Sequence, residues 1–146
     1  MPAYEIARNE FIVVQNMDDP SLPTTTVSYE SFSAPIELRN QDKVWLRMQV
    51  LAANLPSGME LLNVYLRQSN ELWNWETGDP TNPTDANPLL FQVAGTGVYE
   101  GGLAGIGARF VRLHYLFRTD NPDPMSPTPV GTSITFDATL SVSRSS

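Results

Sequence analysis

The chain has 146 residues, a net charge of −7 and no cysteine. It is long enough for one domain with its own core, and it has no means of forming disulfides, thiolate nucleophiles or cysteine metal sites. Its acidity argues against nucleic acid and anionic membranes as partners. Charged residues make up 17 % of the sequence, against about a quarter in an ordinary globular domain. The difference is neutral polar surface, which suits β-structure and burial against neighbouring subunits. Eight of the nine basic residues are arginine, with Lys43 the exception. Arginine is favoured at interfaces, so the bias points either to assembly or to genomic composition. Met1–Glu10 lacks the basic start and apolar core of a signal peptide, and no apolar run reaches membrane-span length. The expectation is synthesis and assembly in a cytoplasm.

In chain order, Phe11–Val14 is a short apolar run that reads as a first strand. The segment 17–26 carries Pro20 and Pro23 and reads as a loop. Val27–Phe32 alternates loosely, and Ile36–Leu38 continues the pattern after Pro35. Val44–Leu51 alternates strictly: Val44, Leu46, Met48 and Val50 share one face, and Trp45, Arg47, Gln49 and Leu51 the other. Leu55-Pro-Ser-Gly58 is a turn signal. Glu60–Gln68 follows with Leu62, Val64 and Leu66 inward and Asn63, Tyr65 and Arg67 outward. The spacing predicts an antiparallel hairpin of these two strands. Glu76–Pro88 is a polar loop stiffened by Pro80, Pro83 and Pro88. Leu89–Val93 is a short strand, and the glycine-rich Gly95–Gly107 reads as a flexible or closely packed loop.

Two strongly alternating strands close the chain. In Arg109–Arg118, Val111, Leu113, Tyr115 and Phe117 fall on one face. In Ser133–Ser143, Ile134, Phe136, Ala138, Leu140 and Val142 do so. Between them, Thr119–Gly131 is a long proline-rich loop. Many short strands with Gly/Pro turns and no helical period predict an all-β, single-domain antiparallel β-sandwich or jelly roll spanning residues 1–146, with long Pro-rich loops. Residues 1–40 would form an extended arm plus the first strands.

The residues nominate little chemistry. His114 is the sole histidine, so a zinc site or a Cys–His pair has no basis, and His114 reads as a structural or interface residue. The glycines of 95–107 lack the order of a dinucleotide motif and run into a strand. Aspartates 18, 19, 79, 85, 120 and 123 sit in loops, where solvated turn residues account for them better than calcium does. No catalytic, cofactor-binding or metal residues are assigned. Trp73 and Trp75 share a face of an extended segment near Tyr65; they are core fillers, a subunit contact, or a platform for sugar stacking.

Three stretches carry a resemblance: Lys43–Val50, Asn63–Trp75 and Gly107–Tyr115, the last reading "aromatic-Val-Arg-Leu-x-Tyr". Together they resemble the small β-sandwich proteins that decorate or cement the heads of tailed phages, over roughly residues 43–142. The resemblance implies a non-enzymatic capsid decoration protein on the outer surface of the virion. Its partners would be the major capsid protein and copies of itself, with no nucleic acid, membrane or cofactor. Contacts would then fall at Trp73, Trp75, Arg109, Arg112, Pro122, Pro124, Met125, Pro127 and Pro129. Proline-stiffened loops lose little entropy on docking, and many copies compensate for modest affinity per contact. Two other readings stand beside it: a carbohydrate-binding module or receptor-binding tip using Trp73 and Trp75, and a tail or fibre component.

Overall fold

The computed structural model describes residues 3–13, 30–55, 60–72, 89–119 and 131–144. The sequence alternation reappears there as alternation in burial, and it builds nine strands with no helix among the described residues. These are β1 (Ala3–Val13), β2 (Glu30–Phe32), β3 (Ile36–Glu37), β4 (Lys43–Asn54), β5 (Glu60–Ser69), β6 (Leu89–Val93), β7 (Gly97–Leu103), β8 (Phe110–Thr119) and β9 (Ser133–Ser143). They form two antiparallel sheets. The first has the order β1-β9-β4-β7; the second has the order β2-β8-β5-β6, with β3 also pairing β8. The molecule is an all-β sandwich.

Val44, Leu46, Met48, Ile134, Phe136, Leu140 and Val142 from the first sheet face Leu62, Val64, Leu66, Val111, Leu113 and Tyr115 from the second, all buried. The rings of Tyr115 and Phe136 meet across the sheets at 5.1 Å. Each buried Leu or Val contributes on the order of 2 kcal/mol through loss of apolar surface to water. With the two inner faces interlocked in this way, side chains fill the space between the sheets.

Two expectations need correction. The predicted hairpin of Val44–Leu51 and Glu60–Gln68 does not form. β4 pairs with β7 and β9, whereas β5 pairs with β6 and β8. A turn signal requires only that the chain reverse. Here the dry rows of the two strands face each other across the interior, so the chain passes from one sheet to the other. The second correction is that Gly97–Leu103, read as loop, is a strand paired along β4 from Val50↔Gly97 to Val44↔Leu103. Its glycines mark close approach. A Cβ on Gly101 would lie 2.7 Å from the Leu90 carbonyl oxygen, and one on Gly102 would lie 2.6 Å from the Trp45 ring. Without those Cβ atoms, β7 presses against β6 on one side and lies beneath Trp45 on the other. Tyr99 closes the β6–β7 corner: its ring stacks on Phe91 at 5.9 Å, and its hydroxyl donates to the Gly95 carbonyl at 3.0 Å.

The first strand is longer than the apolar run Phe11–Val14, because its N-terminal half carries Glu5, Arg8 and Asn9. Its register with β9 slips twice, between Glu5 and Ala7 and between Ala7 and Glu10. Asn9 adopts φ 50°, and its N–H donates to Asp137 Oδ1 at 2.8 Å. Asparagine tolerates this left-handed conformation better than most residues.

Pairing of Ser69 with Phe110 and of Glu60 with Thr119 sets the direction of the two strands. β5 therefore ends at the opposite end of the sandwich to the end of β8. Residues 73–88 and 120–130 lie outside the described residues.

Candidate functional site

Of the contact residues expected from the sequence, Trp73, Trp75, Pro122, Pro124, Met125, Pro127 and Pro129 lie outside the described residues. Arg109 and Arg112 are described, and the fold does not bring them into one site. Arg109 immediately precedes β8 at the end of the sandwich, whereas Arg112 lies on the outer face of the second sheet.

Arg109 borders a cleft of about 680 Å³ formed by the β3–β4 turn, the β7–β8 connection and Asn70. The turn is tight. Arg39 and Asn40 have φ 49° and 67°, and the Gln41 N–H donates to the Leu38 carbonyl at 3.0 Å. Two successive positive φ values closed by that bond are the pattern of a type I′ turn. The turn holds Glu37 against Arg109, with Nη2 3.4 Å from Oε1. The Arg109 N–H donates to Asn70 Oδ1 at 3.2 Å, and its guanidinium lies 5.0 Å from the Phe110 ring centre. Acids, arginines and amides line the cleft, with no serine, cysteine, histidine or lysine among the described lining residues. Such a surface hydrogen-bonds to polar partners. The exposed Glu37–Arg109 pair is worth at most about 1 kcal/mol.

The middle of the outer face of the second sheet is dry. His114 is 0 % exposed, Asn63 1 % and Tyr65 2 %. Phe32 pairs directly with His114 across β2 and β8 and stacks on its ring at 4.5 Å, within 10° of parallel. The Arg112 guanidinium lies over Phe32 at 4.2 Å. Tyr65 tilts against His114 at 5.7 Å. Asn63 Nδ2 donates to the Tyr65 hydroxyl at 3.1 Å, and Gln92 Nε2 donates to Asn63 Oδ1 at 3.0 Å. Burial, and then the Arg67 guanidinium directly opposite, lower Arg112 below the usual arginine value. Reading Asn63, Tyr65 and Arg67 as outward-facing gives the right direction, but it leaves out the burial of that face. Period-two alternation identifies a strand's two faces, and wetness cannot be inferred from polarity when the polar groups bond to one another.

The outer face of the first sheet is open. It carries Trp45 at 46 % exposure together with Arg47 and Gln49. A trench of about 350 Å³ lies along it, lined by Glu5, Arg8, Arg47, Gln49, Asp137 and Thr139. Arg47 Nε lies 3.9 Å from Glu100 Oε1. Trp45 was legible as outward-facing in the alternation of β4. Its partner Gly102 was the missing signal, because the glycine-rich run did not read as a strand.

One carboxylate faces the dry side of the first sheet. Glu10 sits opposite Phe136, and burial raises its pKa. Burial, and then Glu10, push the Tyr115 hydroxyl above the phenol range. That hydroxyl is buried with no hydrogen-bond partner among the described residues. No group of three or more His, Asp or Glu side chains that could hold a metal ion occurs among the described residues. Comparison of the chain with protein-family models finds no match, and comparison with curated proteins finds none.

Proposed function

We propose that this chain is a virion structural protein, a decoration or cement protein on the outer surface of a tailed-phage head. It would work without catalysis, by associating with copies of itself and docking across capsomers of the major capsid protein. The strand order is the observation that carries the reading. With β2 and β3 counted as one interrupted strand, eight strands run first-eighth-third-sixth in one sheet and second-seventh-fourth-fifth in the other. That order supports a jelly roll, an architecture shared by viral capsid domains, lectins and cupins. Cupin-like use of the interior is disfavoured because Met48, Leu66, Leu113 and Tyr115 fill the space between the sheets. Recognition therefore falls to the surfaces, chiefly the open face of the first sheet and the polar cleft at one end.

Co-sedimentation with tailed-phage heads stripped of their decoration protein tests the proposal. The purified chain is expected to pellet with expanded heads in saturable amounts and to raise their resistance to heat. A chain that stays monomeric and remains in the supernatant sinks the reading.

The cleft favours a second reading, glycan binding. Glu37, Asp42, Asn40 and Asn70 beside Arg39 and Arg109 present the donors and acceptors that sugar hydroxyls take. They stand at the end of the sandwich where β5 ends and β8 begins. A tryptophan fluorescence titration against a polysaccharide panel, repeated with Arg109→Ala, tests it; no response to any member removes it.

A further inference from the structure

We infer that the open outer face of the first sheet is a twofold contact between two copies of this chain, oriented with the twofold axis across the strands. The inference deepens the self-association proposed above and rests on it.

The face has the charge balance such a contact needs. The chain as a whole is at −7, so copies repel one another. On this face Arg8, Lys43 and Arg47 balance Glu5, Glu100 and Asp137, and two copies meet there without net repulsion. The size is also adequate. Four strands about 4.8 Å apart and about 30 Å long present roughly 600 Å² per copy. That lies below the roughly 800 Å² per partner of a standard interface, which suits a contact used many times over.

The register selects the orientation. A face-to-face twofold axis lies in the interface plane, either along the strands or across them. Arg47 is level with Glu100 on one side and with Thr139, hence Glu5, on the other. An axis along the strands exchanges the two edges of the sheet and sets Glu100 of one copy over Glu5 of the other, a like-charge clash. An axis across the strands keeps each strand over its counterpart and reverses its direction. With the axis level with Met48, Arg47 lies over Gln49 of the other copy, and Asp137 of β9 over Thr139. Glu5 lies over Arg8, which occupies the β1 bulge between Ala7 and Glu10 and lines the same trench as Asp137. Trp45 lies over the end of β4 where Leu51 is exposed, and Glu100, paired with Arg47, lies over Val98, paired with Gln49. Glu5 meets Arg8, and Trp45 meets Leu51.

Trp45 is a prepared anchor. With no Cβ at Gly102, the indole takes up that space, its Cε3 2.6 Å from where that Cβ would be. A ring already held in place loses little freedom on docking, and tryptophan is enriched among residues that dominate interfaces.

Sedimentation velocity over roughly 1–100 µM, the range appropriate to an interface this small, tests the pairing. Wild type is expected to show a concentration-dependent dimer. Trp45→Ser is expected to weaken it by at least about tenfold. Arg8→Glu is expected to weaken it as well, and adding Glu5→Arg to Arg8→Glu is expected to restore it, because the two exchanged charges meet again across the axis. Far-ultraviolet circular dichroism checks that each variant is folded, and the restored double variant guards against misreading a folding defect. A wild type that remains monomeric throughout the range overturns the inference. So does an oligomer whose affinity neither Trp45→Ser nor Arg8→Glu alters; if that oligomer still binds heads, the decoration reading survives and only this contact is wrong.

Discussion

The two sheets of this sandwich treat their inner faces alike and their outer faces in opposite ways. On the first sheet, alternation separates a dry side from a wet one: Val44, Leu46 and Met48 are buried while Trp45, Arg47 and Gln49 between them are exposed. On the second, the middle of β5 and β8 is buried on both sides, and Asn63, Tyr65 and His114 of the outer row are as inaccessible as the core. The consequence is energetic. Water satisfies Arg47 and Gln49 whatever their neighbours do. Asn63 depends on Tyr65 and Gln92, so its face tolerates little change. The open face is free to vary and to bind, and the closed face is committed to stability.

The sharpest way to break this comparison is to truncate one large aromatic on each outer face. Tyr65→Ala is expected to cost about 3 kcal/mol, in the range for removing a buried ring, because it opens a cavity beside His114 and takes away the acceptor of Asn63. Trp45→Ala, on the open face, is expected to cost under about 1 kcal/mol. Urea denaturation with a common slope reads both. Equal costs would mean that the two faces do not differ in the way their burial indicates.

Asn63→Ala narrows the test to hydrogen bonding. It removes a donor to Tyr65 and an acceptor for Gln92, and about 2 kcal/mol is expected for the pair of groups left unsatisfied. Gln49→Ala, at a matching position on the open face, is expected within about 0.5 kcal/mol of wild type. An Asn63→Ala variant with an unchanged urea midpoint would show that the network carries no net stability.

Much of this contrast was readable in the sequence, and the unread part has a definite physical origin. The rows Val44–Val50, Val111–Phe117 and Ile134–Val142 show which side of each strand is dry, because apolar period-two runs have no competing explanation. The hairpin of β4 and β5 was misjudged because a Pro-Ser-Gly turn fits a reversal within a sheet as well as one between sheets. β7 was missed because Gly101 and Gly102 lower strand propensity, while the reason for them, Leu90 on one side and Trp45 on the other, lies in distant strands. The dry middle of the outer face of the second sheet was hidden because Asn63 and Arg67 look like surface residues until their partners are known. Arg109 has an exposed side chain. Its role at the cleft depends on Glu37 and Asn70, which the strand pattern around it does not reveal.

Glu10 is the exception to the likeness of the inner faces, and it gives a smaller effect with a defined sign. Its carboxyl faces the dry side of the first sheet opposite Phe136, and burial raises its pKa above the ordinary 4.5. A group with a raised folded pKa favours the folded state most when protonated. Its stabilising increment is fully present below 4.5 and is lost as pH rises through the raised value. Glu10→Gln keeps the shape and removes the titration. The variant is expected to match wild type in acid, to be more stable near neutrality, and to show a flatter stability profile between those limits. Urea midpoints measured across that range decide it; parallel profiles for the two proteins would mean that Glu10 is solvated in the folded state.

The smallest effect expected is the ion pair on the open face. Arg47 and Glu100 lie directly across β4 and β7, 3.9 Å apart, with side chains 55 % and 47 % exposed. A cross-strand pair this exposed gains a weak attraction in high dielectric and gives up side-chain freedom to make it. A double-mutant cycle of Arg47→Ala and Glu100→Ala in dilute protein is expected to give a coupling of about 0.3 kcal/mol that fades with added salt. Contact with a second copy would remove water from the pair, and the coupling measured on the associated form should exceed that of the monomer. A coupling near 1 kcal/mol in the monomer would show instead that the face is less open than Trp45 and Val98 indicate, and the contrast between the two sheets would narrow from the side of the first.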